Sequence, residues 1–68
     1  MNLKIEFEQE TDGRWIAEVV ELPGVMVYGE TREEASQKVK ALALHVVAER
    51  LEQGESLPET DSVFFLAA

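Results

Sequence analysis

Tyr28-Gly29-Glu30-Thr31-Arg32-Glu33-Glu34-Ala35 separates two kinds of pattern in this chain. Before it, apolar residues recur at every second position. After it, they recur at helical spacing. Thr31 is the expected N-cap, because its hydroxyl oxygen can accept an orphan N–H of the first turn. Glu34, three residues on, completes a capping box. Glu33 and Glu34 also place negative charge at the positive end of the helix dipole. The pattern predicts a helix from about Arg32 to Gln53, stopped by Gly54. Its core stripe is Ala35, Val39, Leu42, Ala43 and Val46. A second apolar group, Leu44, Val47 and Leu51, widens the apolar face beyond the usual stripe. Such a helix is either sunk deep in a curved sheet or in contact with another subunit, with Leu44, Val47 and Leu51 as the oligomer interface.

Upstream, residues 3–9 alternate, with Leu3, Ile5 and Phe7 opposite Lys4, Glu6 and Glu8. Period two marks a half-buried strand. Thr11-Asp12-Gly13 follows, and Asp-Gly favours a hairpin because both residues tolerate positive φ. Residues 14–20 read as a second strand, with Trp15, Ala17 and Val19 on one face and Ile16, Glu18 and Val20 on the other. Apolar residues on both faces place this strand inside the sheet or against a partner. Glu21-Leu22-Pro23-Gly24 interrupts it with a tight reversal. Val25 to Tyr28 is a short third strand, with Met26 and Tyr28 opposite Val25 and Val27.

Beyond the helix, a polar connection containing Pro58 leads to a last expected strand, Ser62 to Leu66. A strand in that position can return parallel to an earlier one through a right-handed crossover. The reading is α+β, ordered β-β-β-α-β, as a single domain over residues 1–68.

A domain of 68 residues buries only about 60% of its unfolded surface. Folds this small ordinarily draw on a disulfide, a metal or an oligomeric partner. The chain has no cysteine and one histidine, which removes the disulfide and makes an N/S zinc site a poor fit. Association with another protein is what remains. Fourteen acidic against six basic side chains give a formal charge of −8. That balance repels phosphate and argues against direct binding of nucleic acid. It suits a basic protein partner or simply maintains solubility. Met1 to Phe7 has no signal-peptide core, and no apolar run approaches a membrane span. With the missing cysteines, this leads us to expect a cytoplasmic protein without membrane contact.

The residues offer little chemistry. Glu6, Glu8 and Glu18 stand on outward strand positions and read as a solvated sheet face. His45 has Glu49 four residues on, an ordinary surface arrangement. Ser36, Ser56 and Ser62 lack a nucleophile's setting. The four glycines are single and form no phosphate loop. Aromatic residues such as Trp15 and Tyr28 serve as stacking platforms in RNA-binding sheets, but here they lie in acidic surroundings, which leaves the core or a protein interface. We expect no enzyme, no cofactor and no metal site.

One ordered set of motifs resembles a known family. Glu21-Leu22-Pro23-Gly24 after the second strand, Gly29-Glu30-Thr31-Arg32-Glu33-Glu34-Ala35, and Gly54-Glu55-Ser56-Leu57-Pro58 after the helix together resemble the HicB antitoxins. The likeness spans about residues 3 to 66. It implies a partial RNase H-like fold without nuclease activity, paired with a small basic HicA-type toxin that cleaves messenger RNA. Many members carry a C-terminal DNA-binding domain. This chain ends two residues after Leu66, so no such domain is expected here. Val25 stands where the family often has cysteine.

The expected function is therefore that of an antitoxin-like protein that binds a HicA-type toxin through Trp15, Glu21, Leu22, Pro23, Tyr28 and Glu30. Glu21 and Glu30 would steer the partner, and Leu22 and Pro23 would fill an apolar recess, unless Leu22, Pro23 and Gly24 serve only the geometry of the turn. The alternative is an orphan homo-oligomeric module with no toxin, held by the second helix face.

Overall fold

The computed structural model describes residues 2–55. Three strands, β1 (Ile5–Gln9), β2 (Trp15–Val19) and β3 (Met26–Gly29), precede one helix, α1 (Arg32–Glu52). The strands form an antiparallel sheet in the order β1-β2-β3. This is the expected α+β arrangement as far as the described residues go. The strand expected at Ser62 to Leu66 lies outside them.

Register places the side chains. Ile5 pairs with Val19, Phe7 with Ala17, and Ala17 with Val27. These residues face α1, which packs chiefly over β2 and β3. Ala17, Val19, Val25, Ala35, Val39 and Ala43 are buried between the two layers. Because α1 lies over β2 and β3, the helix side of β1 is only half covered. Leu3 and Ile5 there join Val19, Ala43 and Leu44 in an apolar groove of about 270 Å³.

The turns hold their expected places, with two differences in detail. The first hairpin closes through Gly13 N–H to Glu10 C=O, and Gly13 alone takes a left-handed φ of 95°. Asp12 keeps a negative φ and accepts instead from Arg14, at the backbone N–H (3.1 Å) and at Nε (2.8 Å). Its carboxyl lies below the usual range, chiefly because of that backbone N–H. In the second turn, Pro23 and Gly24 occupy the central positions, and Val25 N–H donates to Leu22 C=O at 3.0 Å. A φ of 88° at Gly24 makes this the turn that demands glycine after proline.

The helix start is as the sequence predicts. Thr31 Oγ1 accepts from Glu34 N–H at 3.0 Å. The return bond differs: the Glu34 carboxylate accepts from Glu30 N–H, one residue before the cap, and pairs with Lys38 at 2.9 Å. Gln53 is the C-cap, and Gly54 follows at φ 85°. The Arg32 guanidinium lies 4.2 Å above the Phe7 ring and ties the first helical turn to β1. No helix among the described residues is long and apolar enough to cross a membrane.

Candidate functional site

The side of the sheet away from α1 forms a small grid of side chains. Glu6, Glu18 and Met26 make one row across the three strands, and Glu8, Ile16 and Tyr28 make the next. An open basin of about 470 Å³ lies over this grid. Val20 extends the apolar part beyond β2. Met26, Tyr28 and Val20 are all exposed, although a small domain gains stability by burying such side chains.

The charges make the face more unusual. Glu6 and Glu18 are direct cross-strand neighbours. Like charges in that position destabilise a sheet. Lys4 reaches Glu6 at 3.9 Å, but both ends are mostly exposed and the pair contributes little. Arg14, bonded to Asp12, stacks 4.6 Å from the Tyr28 ring and places one cation at that end of the grid. The face therefore combines an apolar centre with an acidic rim that Lys4 and Arg14 offset only in part. It can dock a surface that is apolar at its middle and cationic around it.

The residues expected to bind a partner do not come together as one surface. Tyr28 belongs to the grid. Trp15 pairs with Gly29 and lies half-buried on the helix side, against the core. Leu22, expected to fill a partner's recess, is 3% exposed because the Pro23-Gly24 turn folds it back onto Val19 and Val25. Pro23 is exposed and sets the turn. Glu21 accepts from Lys4 N–H at 2.9 Å and so clamps the start of β1 to the end of β2. Glu30 is exposed at the helix start and donates its N–H to Glu34.

The expected oligomer interface also divides. Val47 is only 6% exposed and belongs to the core, whereas Leu44 and Leu51 are 57% and 42% exposed. Leu42 and Val46, assigned to the centre of the core, pack at its margin. By alternation alone, Glu6, Glu8 and Glu18 read as a plain solvated face. The signal for the grid was present in Ile16 and Val20, which alternate with Glu18 on the outward side of β2.

Among the described residues, no group of three His, Asp or Glu side chains is placed to hold a metal ion. Comparison with protein-family models, with curated proteins and with solved structures finds no match.

Proposed function

We propose that this chain is a noncatalytic binding module of the antitoxin kind, whose outer sheet face captures a small basic protein in the cytoplasm. The observation that carries the reading is the Glu6–Glu18 neighbour pair beside exposed Met26 and Tyr28. A fold gains nothing from two carboxylates set side by side with only one weak, exposed lysine contact between them. A cationic partner turns that local cost into attraction, and the apolar centre supplies area that stays dry in the complex. The resemblance to the HicB antitoxins supplies the partner class, a HicA-type RNA-cleaving toxin.

The test is co-expression with the product of the neighbouring reading frame, followed by affinity capture and an RNA-cleavage assay. A short basic protein should co-purify, and adding the chain should stop its cleavage of RNA. Glu18→Lys should slow capture while leaving the domain folded, and Tyr28→Ala should speed release. Capture that ignores both substitutions would remove the sheet face from consideration. Magnesium-dependent RNA cleavage by the chain itself would end the noncatalytic reading.

A further inference from the structure

The outward side of α1 carries an apolar stripe that the sheet leaves exposed. Ala41, Leu44, Ala48 and Leu51 follow at spacings of three, four and three residues, the period of a coiled-coil seam. All four are exposed, on the side of the helix away from buried Ala35, Val39 and Ala43. Ala41, Leu44, His45 and Ala48 ring a shallow depression. Residues at i, i+3, i+4 and i+7 are the four that form a hole for a side chain of a facing helix.

We propose that a second copy of this chain packs on the stripe, helix against helix and antiparallel. Fit selects the direction. A parallel pair stacks leucine on leucine and alanine on alanine, which leaves the alanine layers underfilled. An antiparallel pair sets Leu44 against the partner subunit's Ala48 and Leu51 against the partner subunit's Ala41. Each layer then holds one large and one small side chain, and the helix axes stay close along the seam.

Charge selects the occupant. In this register the flanking positions bring Lys38, which also holds Glu34 at 2.9 Å, beside the partner subunit's Glu52, twice by symmetry. Antiparallel helix dipoles also attract, whereas parallel ones repel. A basic protein fits the stripe less well, because Lys38 and Lys40 border its first half. The seam and the acidic sheet face lie on opposite sides of the domain. Both can be occupied at once, and if the proposed function holds, the complex contains two copies of each protein.

Sedimentation equilibrium at about 100 μM detects self-association with a dissociation constant in the micromolar range. The chain should then show twice its 7.6 kDa mass. Leu44→Glu should halve that mass with an unchanged circular dichroism spectrum, because Leu44 is exposed in the monomer. Should that variant fail to fold, Leu51→Glu in the last helical turn carries the same test. The chain has no cysteine, so introduced thiols report direction cleanly. Ala41→Cys mixed with Leu51→Cys should form a mixed disulfide on mild oxidation, and Ala41→Cys alone should not cross-link. A wild-type mass of one chain overturns the proposal, as does a dimer that survives both glutamates. Self-cross-linking of Ala41→Cys overturns the antiparallel arrangement.

Discussion

Gly29→Ala isolates the contact that fixes how the helix sits on the sheet. Gly29 ends β3 beneath the first turn of α1. A Cβ built there would stand 2.5 Å from Ala35 N, 2.9 Å from Ala35 Cα and 3.0 Å from Ala35 Cβ. Ordinary contacts begin near 3.4 Å. Two of the three atoms are backbone, so no rotamer change makes room. The glycines with left-handed φ are Gly13, Gly24 and Gly54, so alanine suits the local dihedral at Gly29 and only the collision is tested.

Relief requires the helix to retreat by roughly 1 Å, which loosens the Ala35 and Val39 contacts with the sheet. The cost is about 3 kcal/mol, the upper part of the overpacking range. A domain of 68 residues has a total stability of about 3–10 kcal/mol, so the substitution removes a large share of it. The midpoint should fall by about 12–24 °C. Urea and thermal unfolding followed by far-ultraviolet circular dichroism measure both quantities. Gly13→Ala is the control: nothing lies within 4 Å of its Cβ, and the left-handed φ there costs about 1 kcal/mol. A Gly29→Ala variant no less stable than Gly13→Ala refutes the close docking of α1 on β3.

Two further outcomes follow from the same contacts. Leu22→Ala should cost about 3 kcal/mol, because it empties a site enclosed by Val19 and Val25; a loss under about 0.5 kcal/mol, measured by urea unfolding, would return Leu22 to the surface. Glu34 lies below the ordinary carboxylate value of 4.5, first through Lys38 and then through Glu30 N–H. Its folded pKa is depressed, so its contribution is present above the unfolded value and disappears as pH falls through the folded one. The difference in melting temperature between wild type and Glu34→Gln should be largest at neutral pH and close in acid, starting below the unfolded value. A gap that persists into strong acid contradicts the assignment.

Most of the fold is legible in local pattern because each element announces itself within a few residues. Thr31 and Glu34 fix the helix start, and Pro23-Gly24 fixes a turn with only one glycine position. Alternation in residues 3–9 and 14–20 fixes which side chains share a face, and the register bears this out at Ile5–Val19 and Phe7–Ala17. The site is less legible, because it depends on how elements cross. On a helix with apolar residues most of the way round, the crossing over β2 and β3 decides that Val47 goes inward while Leu42 and Val46 lie at the margin. Leu22 looks like an exposed loop tip until the turn folds it under. Trp15 and Tyr28 look like one aromatic pair, yet the pairing of Trp15 with Gly29 and of Ile16 with Tyr28 sends them to opposite faces.

The net charge of −8 acts in opposite senses on the two surfaces, and this separates them in solution. On the proposed function, Glu6, Glu8 and Glu18 would draw in a basic partner at the sheet face, so screening would remove attraction. At the proposed helix seam, two copies of one acidic chain would approach each other, and the two Lys38–Glu52 pairs would offset only part of their mutual repulsion. Screening there removes a cost. Raising salt from 0.1 M to 1 M shortens the Debye length from about 10 Å to about 3 Å. Association of the partner should slow, as steered encounters do, while self-association tightens. Stopped-flow mixing measures the first and sedimentation at the two salt concentrations measures the second. If both weaken with salt, attraction between opposite charges dominates at the seam as well, and the division into an acidic capture face and an apolar self-association face is wrong.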